Sequence, residues 1–359
     1  HTHSVFNFEP VQIDDLQTRW LNHHEQVLRS SLQTIRRYRA ATTHLINFIA
    51  QKGVASKTSL FQVGHAEEFV RHLSPYAENP FSSLDLDRIP IENAKTVSIF
   101  SPDQERAFLE ACDDWQFPIF LTLMLTGLRP GELTHLLLPD DLDLESGMLY
   151  IRNKPHLGWQ VKTRNEREIP LVNELTDVLK ITIGDRITGP VFLQRRYTSS
   201  SAQPELNGQT EKQLEDILQQ RVTQEESAFG KTINRNQWIK LSQTIWRDCG
   251  ALKTDRIRTE FIRLTKQIEL PQFTAPKSLR HLFATSLQDG NVDPLIRSEL
   301  MGHSTSATNG ASHGLGMTAT YTHSRPETKR RQLQNALLIR PSIIIARKRF
   351  LESMKSGLP

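Results

Sequence analysis

The spacing of apolar and polar positions separates a helical N-terminal part of the chain from a larger mixed part. Residues 12–75 are predicted to be mostly helical, and Ser30 and Ser31 provide a helix start. Positions at helical spacing follow this start: Ile35, Tyr38, Thr42, Leu45, Ile46 and Ile49. Gly53 predicts the end of this helix, whose opposite face is basic, with Arg36, Arg37 and Arg39. One face is therefore expected to pack and the other to remain in water.

A linker and a strong helix start separate the two parts. Residues 76–100 contain prolines and serines with little periodicity, and this composition predicts a linker. Ser101 then precedes Pro102 and is followed three positions later by Gln104, the pattern of a helix N-terminus with a reciprocal cap. A second domain is therefore expected over residues 101–340, with a basic C-terminal tail over 341–359.

Within the second domain, helical patterns surround a group of short strands. The apolar run 117–126 predicts a buried helix ended by Gly127, and Pro130 opens the next helix, which places Arg129 at a tight junction. Strands are predicted over 142–144, 149–152, 160–162 and 168–171, so that Lys162 lies near a hairpin tip. The fold class is therefore mainly α with a small antiparallel β-sheet (α+β).

Residues 195–270 form an unusually polar stretch inside the second domain. They are rich in Gln, Glu, Arg and Thr, with helical apolar spacing near Leu214–Val222 and again near Ile257–Leu264. We interpret this stretch as a helical insertion.

Composition and charge are those of a globular protein with a basic end. Hydrophobic residues make up 37% of the chain and the net charge is only +4, which excludes a simple polybasic protein. Residues 325–359, however, hold nine Lys or Arg and two Asp or Glu, so the rest of the chain is slightly acidic. This asymmetry predicts either a local contact with an acidic partner or a solvated basic tail.

Cysteine content and hydropathy favour a cytoplasmic protein. Cys112 and Cys249 are too few for a disulfide framework or a four-ligand zinc site. Residues 1–30 show no secretory signal, and the apolar stretch 343–346 is far too short to cross a bilayer, so no membrane partner is expected. The chain begins with His1 rather than Met, which leaves open an N-terminal domain before it.

Six residues in ordered motifs supply the groups needed to exchange a phosphate diester. They are Arg129 in Thr-Gly-Leu-Arg-Pro-Gly-Glu-Leu, Lys162 in Val-Lys-Thr-Arg, Lys277 and Arg280 in Lys-Ser-Leu-Arg-His, His303 in Leu-Met-Gly-His-Ser and Tyr321 in Thr-Ala-Thr-Tyr-Thr-His. Arginine presents a planar fork that matches two phosphate oxygens, so Arg129 and Arg280 are the predicted clamp. His303 adds a donor, Lys162 suits a general acid, and Tyr321 is the nucleophile whose phenolate nearby cations would favour.

In content and order these motifs resemble the active site of the tyrosine recombinases, the integrase family that cuts and rejoins DNA. The resemblance spans residues 126–323 and implies a 3′-phosphotyrosyl intermediate, which conserves the energy of the broken diester. The stretch from Ser31 to Ala40 also looks like the core-binding domain of integrases. Residues 1–75 are therefore expected to form a helical core-type DNA-binding domain, with Arg36, Arg37 and Arg39 toward DNA, beside a tyrosine-recombinase catalytic domain.

Two features depart from the family pattern. Lys277 occupies the first position of the His-x-x-Arg motif, and an ammonium donates hydrogen bonds but cannot accept the tyrosine proton. Some relatives carry lysine there, so activity is still expected, and His281 is the alternative base. In addition, 17 residues separate His303 from Tyr321, more than is usual. We interpret this segment as a glycine-containing surface loop, and prefer His303 to His313 because of its motif.

The same resemblance sets the expected partners. Double-stranded DNA, self-association into a tetramer on DNA and an accessory DNA-bending protein are the candidates, and the place of action is the nucleoid. No cofactor and no metal are expected, because the sequence lacks a P-loop and the acidic cluster of two-metal nucleases. A type IB topoisomerase, which shares the chemistry, and a catalytically silent DNA-binding regulator on the same fold are the alternative functions.

The same resemblance predicts a role for the C-terminal tail. In the family the C-terminal segment commonly docks on a neighbouring protomer. Pro341 is predicted to break the preceding helix and leave residues 342–359 free to reach outward. The competing hypothesis is that Arg347, Lys348 and Arg349 contact DNA phosphates.

Overall fold

A computed structural model of the chain describes residues 13–27, 32–51, 98–198, 201–302, 324–338 and 340–356. Its contacts divide the chain into two units, His1–Lys95 and Thr96–Pro359. The second unit begins a few residues before the predicted start at Ser101. Phe100 is buried there and stacks on Phe273 with the ring centroids 4.0 Å apart, so residues next to Ser101 are part of the second unit rather than of a linker.

The first unit contains two described helices, α1 (Ile13–Gln26) and α2 (Leu32–Gln51). They pack through aromatic rings, with the centroids of Trp20 and Tyr38 4.9 Å apart. The helix predicted after Ser31 is therefore confirmed, and Ile35 lies buried on its packed face. The basic face is confirmed as exposed at Arg36, Arg37 and Arg39. Gly53 and the remainder of the predicted helical part lie outside the described residues.

In the residues that the structure describes, the second unit is mostly helical with two small antiparallel sheets. Its helices are α3 (Pro102–Ala111), α4 (Gln116–Thr126), α5 (Pro130–Leu133), α6 (Asn173–Ile183), α7 (Glu211–Phe229), α8 (Arg235–Asp248), α9 (Thr254–Gln267), α10 (Lys277–Asp289), α11 (Pro294–Met301), α12 (Pro326–Leu338) and α13 (Pro341–Ser356). Its strands are β1 (Leu137–Leu138), β2 (Leu142–Asp143), β3 (Met148–Ile151), β4 (Arg167–Pro170) and β5 (Gly189–Pro190). Short 3-10 helices cover Pro155–Leu157 and Arg195–Tyr197. The predicted fold class is confirmed.

Local sequence signals account for the first helices of this unit. Ser101 accepts a hydrogen bond from the Gln104 backbone while the Gln104 side chain accepts one from the Ser101 backbone, the reciprocal cap expected for α3. Helix α4 is buried along its whole length, as its continuous apolar run predicts. Gly127 ends α4 in the left-handed conformation at φ 62°, and Pro130 begins α5.

The strand predictions are correct in three places and wrong in one. Strands β2, β3 and β4 form one sheet, with Leu142 opposite Leu149 and Leu149 opposite Ile169. The strand predicted over 160–162 is wrong. Lys154 and Trp159 instead pair across a tight loop closed by Gly158 at φ 72°, and the chain then turns at Lys162. At this turn the side chain of Asn153, rather than a neighbouring strand, binds the Val161 N–H and the Arg164 carbonyl.

Two separate apolar clusters stabilise the second unit. The main core surrounds α4 and includes Phe108, Phe120 and Phe283. The second cluster, called the insertion core here, joins α7, α8 and the 3-10 helix Pro155–Leu157. Its members are Leu137, Leu157, Leu214, Leu218, Val222, Ile245, Trp246, Cys249 and Ala251. Helix α9 belongs to the main core through Ile257 and Phe261, so within the predicted insertion only α7 and α8 pack in the insertion core. The name insertion helices is therefore kept for α7 and α8.

The C-terminal segment is a packed helix, so the expectation that residues 342–359 are free to reach outward is wrong for residues 342–356. Pro341 does not release the chain but opens α13, as proline at a first helical position does. Helix α13 buries Ile343 and Phe350 in the main core, and Phe350 stacks on Phe117 at 4.9 Å. Within the apolar run 343–346, Ile343 and Ala346 thus face the core of this same chain, whereas Ile344 and Ile345 are exposed.

Several basic residues of the C-terminal region form ion pairs or hydrogen bonds within the unit. Arg340 pairs with the buried Glu105 at 2.9 Å, and Lys329 pairs with Glu299 at 2.8 Å. Further partners are Asp177 for Arg347, the Glu110 carbonyl for Arg349 and the Ser146 carbonyl for Arg330. Part of the charge excess read from the sequence is therefore engaged in contacts within the unit, while Arg331, Lys348 and Lys355 are exposed.

Truncation after Arg340 is expected to destabilise the second unit. Burial of a large apolar side chain stabilises a fold by roughly 1.5–3 kcal/mol, and the deletion removes both Ile343 and Phe350. Thermal unfolding should show a clearly lower midpoint for the truncated chain than for the full chain. An unchanged midpoint would contradict the packing of α13 on its own unit.

Candidate active site

The predicted clamp residues Arg129 and Arg280 lie near each other, where α4 packs on α10. Gly127 makes this approach possible, because a Cβ atom at this position would lie 2.3 Å from Cδ1 of Phe283 on α10. Arg280 Nη1 donates to the Gly127 carbonyl at 2.5 Å, and Nη2 donates to the Met301 carbonyl. The end of α4, the first turn of α10 and the end of α11 are thereby joined through one guanidinium group.

The pKa of Arg280 reflects its burial and the nearby positive charge of Arg129. Burial lowers the pKa of Arg280 to about 10, and the positive charge of nearby Arg129 contributes to the same direction. The guanidinium remains protonated at neutral pH. Two like charges held close together, one of them largely buried, form a region where a bound anion is strongly favoured.

Glu132 holds Arg129 in place and was not among the predicted site residues. Its side chain is only 2% exposed and accepts from Arg129 Nη1 at 2.7 Å, from the Arg129 backbone at 2.9 Å and from Arg167 Nη2 at 2.7 Å. Burial alone would raise the pKa of Glu132, but the hydrogen bonds and charge of Arg167, together with Arg129, outweigh it and lower the pKa below its ordinary value. The carboxylate therefore stays ionised and orients the catalytic candidate.

Arg167 extends this network to the residue before the predicted histidine. Its Nε donates to the Leu300 carbonyl at 3.0 Å, close to the Met301 carbonyl that Arg280 binds. Gly302 follows in the left-handed conformation at φ 63°, and a Cβ atom there would lie 2.9 Å from Arg167 Nη1. Two guanidinium groups thus hold the end of α11, the element that leads into His303.

The two predicted lysines lie on exposed positions of two different elements. Lys162 occupies a turn in the lysine loop, the name used here for residues 152–166 between β3 and β4, and its side chain is exposed. Lys277 is the first residue of α10, one helical turn before Arg280, and is also exposed. Burial, followed by the charges of Lys277 and Arg280, lowers the pKa of His281, which favours its neutral form.

The structure thus brings together part of the predicted set. Arg129 and Arg280 are neighbours, while Lys162 and Lys277 lie at exposed positions on the lysine loop and at the start of α10. His303 and Tyr321 lie outside the described residues. Sequence reasoning missed Glu132, Arg167 and Asn153 as supporting residues. The sequence did contain a signal for Glu132. Arg129 precedes the proline that opens α5, and an acidic residue three positions after such a residue is the pattern of a helix cap.

A partly buried histidine connects the region of Arg129 to the lysine loop. His135, just after α5, stacks on Trp159 at 4.8 Å and meets the edge of Trp246 at 4.5 Å, and its Nδ1 donates to the Gly131 carbonyl at 2.6 Å. Burial lowers the pKa of His135 to about 4, below its ordinary value of 6.5. The ring is therefore neutral in the folded protein at neutral pH.

Acid is expected to destabilise the second unit through His135. Between pH 6.5 and 4 the unfolded chain binds a proton at this ring while the folded chain does not, so stability falls as the pH falls. The loss should be about 2 kcal/mol at pH 5 relative to pH 7.5. Urea unfolding at both pH values checks this, with His135→Phe as the non-titrating control that keeps an aromatic ring. Equal pH dependence in both proteins would contradict the assignment.

Comparison with known proteins identifies the family. A family model described as the phage integrase family matches residues 99–328, which is more than half of the chain. The chain therefore belongs to the phage integrase family, the tyrosine recombinases, and the sequence-based resemblance is confirmed. The curated protein sequences contain no significant match to the chain.

Solved structures of the Tn1549 transposon integrase support the same fold. The Tn1549 transposon integrase in complex with circular intermediate DNA superposes with a TM-score of 0.52 at 18% identity, over 90% of this chain and 99% of that chain. A tyrosine-to-phenylalanine variant of that integrase with transposon right end DNA gives 0.51 at 18% identity, over 90% and 99%. A λ integrase fragment, a dimer bound to a COC′ core site, gives 0.42 at 14% identity, over 86% and 97%.

Helix length and polarity bear on membrane association. Within the part of the chain that the structure describes, no helix combines the length and apolar character needed to cross a membrane.

Proposed function

We propose that this member of the family is a site-specific DNA recombinase that cuts and rejoins DNA through a 3′-phosphotyrosyl intermediate. One observation carries the proposal. The guanidinium groups of Arg129 and Arg280 lie close together, and buried hydrogen bonds to Glu132, Gly127 and Met301 hold them in place. Such a preorganised pair of cations suits the negative charge that develops on a phosphodiester under attack.

The reaction follows from the roles of the six residues. Tyr321 gives its phenol proton to solvent, the resulting phenolate oxygen attacks phosphorus, a tyrosine O–P bond forms, and the P–O5′ bond breaks. Arg129, Arg280 and His303 donate to the non-bridging oxygens, whose negative charge increases along this path. Lys162 transfers a proton to the departing O5′ atom, which leaves as a hydroxyl group. Reversal with a new 5′ hydroxyl rejoins DNA without an external energy source.

Lys277 replaces the usual histidine and is proposed to donate a hydrogen bond to the phosphate or to the tyrosine oxygen. Its exposed position at the start of α10, one turn before Arg280, is compatible with reaching a ligand bound by that arginine. Lys277→Ala should slow cleavage by about ten- to a thousandfold, the range for one catalytic donor or acid–base group. Lys277→His should lose less, because imidazole can also donate. Cleavage near the wild-type rate by both variants would assign a structural role to Lys277.

The proposed partner is double-stranded DNA. Arg36, Arg37 and Arg39 form an exposed basic face on α2, and such a face suits contact with phosphates. Assembly into a tetramer on DNA, action at the nucleoid and the use of an accessory DNA-bending protein are proposals that rest on family membership. The packing of α13 on its own unit means that a docking role for the C-terminal segment would require its release or its exposed face.

A plasmid experiment tests the function and separates it from its alternatives. Inverted repeats in the DNA that flanks the gene would supply the core site, and two copies on one supercoiled plasmid would be the substrate. A recombinase should exchange the DNA between the copies, whereas a type IB topoisomerase should relax plasmids that lack the site equally well. Binding without strand breakage would identify a silent regulator and refute the proposal.

A further inference from the structure

We infer that the insertion helices α7 and α8 position the lysine loop, with Ser242 and Trp246 of α8 fixing the backbone from which Lys162 extends. This inference rests on the proposed function, in which Lys162 is the proton donor. Ser242 and Trp246 are positioning residues here, because they act through the loop and not on the DNA. The insertion thereby receives a role in the chemical step.

The central contact is a buried carbonyl group that receives two hydrogen bonds. Ser242 Oγ donates to the Leu157 carbonyl at 2.5 Å, and Trp246 Nε1 donates to the same oxygen at 2.9 Å. Leu157 is 0% exposed and belongs to the insertion core, and both donor side chains are buried. A double hydrogen bond in an apolar surrounding fixes this point of the lysine loop strongly, because neither donor has water as a substitute partner.

The next residue shows how closely the loop lies on α8. Gly158 adopts φ 72°, and a Cβ atom at this position would lie 2.3 Å from Ser242 Oγ and 3.2 Å from Cζ3 of Trp238. Only glycine provides both the backbone conformation and the space for this approach. The fit between loop and insertion is therefore specific to this place in the sequence.

The base of the loop is tied to the same insertion. Lys154, 1% exposed, pairs with the buried Asp141 at 2.6 Å, and Arg152 bridges Asp141 and Glu211 of α7 with both contacts at 2.8 Å. The ion pair also removes Lys154 as a rival proton donor, because its ammonium group is engaged and inaccessible. Both insertion helices thus contact the lysine loop, α7 at its base and α8 at Leu157.

Hydrogen bonds and packing fix the backbone at several positions between Leu157 and Lys162. Trp159 exchanges backbone hydrogen bonds with Lys154 at 3.0 Å and stacks on His135, whose other neighbour is Trp246. Val161 is buried in the main core, and its N–H donates to Asn153 Oδ1 at 2.9 Å. Asn153 Nδ2 donates to the Arg164 carbonyl at 3.1 Å, so one side chain brackets the turn that contains Lys162.

Fixing this backbone matters because a proton donor must lie within hydrogen-bond reach of the leaving oxygen. A displacement of about 1 Å can lower a rate on the order of a hundredfold. An exposed lysine on an unanchored loop would have to be ordered during each cleavage event. Because of the contacts with α8, the backbone of the lysine loop is already ordered in the folded protein before DNA binds.

A sulfur-substituted DNA duplex tests this inference. In this substrate a sulfur atom replaces the bridging O5′ atom, so the tyrosine O–P bond forms, the P–S bond breaks and a thiolate leaves. A thiol has a pKa of about 8.5, so the thiolate leaves without a proton from Lys162. A variant that fails only in proton donation should therefore be slow on the oxygen substrate and recover on the sulfur substrate.

The variants are Ser242→Ala, Trp246→Phe, their combination, Lys162→Ala and the control Arg221→Met. Each lost hydrogen bond should slow cleavage of the oxygen substrate by about fivefold, and the double variant by about thirtyfold. On the sulfur substrate the double variant and Lys162→Ala should both approach the wild-type rate. Arg221 lies on α7 and pairs with Asp248 at 2.7 Å rather than with the Leu157 carbonyl, so its variant should show the same ratio between substrates as the wild type.

The outcomes separate this inference from the proposed function. Slow cleavage of both substrates by Lys162→Ala would refute Lys162 as the proton donor, and with it the proposed mechanism. The positioning role alone would be overturned if Lys162→Ala recovered on the sulfur substrate but the double variant did not follow it. In that case the double variant would be slow on both substrates, or would cleave both at the wild-type rate. Thermal unfolding and binding of the core duplex check folding. If the double variant fails to fold, Ser242→Ala provides the same comparison.

Discussion

Replacing Tyr321 with phenylalanine is expected to abolish covalent capture of DNA. The substitution removes only the phenol oxygen, which is the atom proposed to attack phosphorus, and leaves the ring in place. On a duplex with a nick beside the cleavage site, the wild type should accumulate a protein–DNA adduct because the short product strand diffuses away. Tyr321→Phe should reduce adduct formation by at least about 10⁴-fold, as the loss of a nucleophile does.

Tyr197→Phe is the matched control for this experiment. Tyr197 lies on the 3-10 helix Arg195–Tyr197, where the guanidinium of Arg196 lies 4.5 Å from the centre of its ring. Cation–aromatic contact does not need the hydroxyl group, so this variant should form the adduct normally. Mapping of the adducted peptide completes the test, since an adduct on Tyr150 or Tyr197, or one that persists in Tyr321→Phe, would defeat the assignment.

Replacing Arg280 with lysine is expected to lower the cleavage rate by about 10²- to 10³-fold, the effect of removing one preorganised donor from a charged transition state. Lysine keeps the charge but lacks the planar fork. It cannot reproduce the two directed hydrogen bonds that Arg280 makes to the Gly127 and Met301 carbonyls while presenting further donors to a phosphate. Single-turnover cleavage on the nicked duplex measures the effect.

The exposed Arg258 on α9 provides a control of the same chemical change, and Arg258→Lys should cleave at close to the wild-type rate. In Arg280→Lys the Gly127 and Met301 carbonyls lose a hydrogen-bond donor, and this loss can destabilise the fold. Thermal unfolding therefore distinguishes a catalytic loss from a folding defect. A near-normal cleavage rate in a folded Arg280→Lys protein would show that the paired guanidinium groups do not act on the phosphate.

The outcome at α13 illustrates how a correct local pattern can lead to a wrong tertiary prediction. The apolar run 343–346 and the basic residues 347–349 suggest a segment with one buried and one charged face, and α13 has both. Sequence spacing does not state which surface covers the buried face. In the structure Phe117 and Glu105, more than 200 residues away in the chain, belong to the surface that receives it.

Much of the fold and part of the site could be predicted because their causes are local. The reciprocal cap at Ser101, the continuous apolar run of α4 and the left-handed Gly127 depend on residues within a few positions of one another. The order of the motifs from Arg129 to Tyr321 likewise marks the family before any coordinates are known, because each motif is a short contiguous pattern.

The tertiary structure alone decided what surrounds those motifs. Glu132 meets Arg167 across 35 positions, Ser242 meets Leu157 across 85, and Arg280 meets Gly127 across 153. No local periodicity encodes such pairs, because they depend on how helices and loops pack. Burial then sets their strength, since a carboxylate or carbonyl group without access to water must be satisfied by protein donors. For this reason the sequence by itself determined the chemistry present in the chain, whereas packing determined which residues hold it in position.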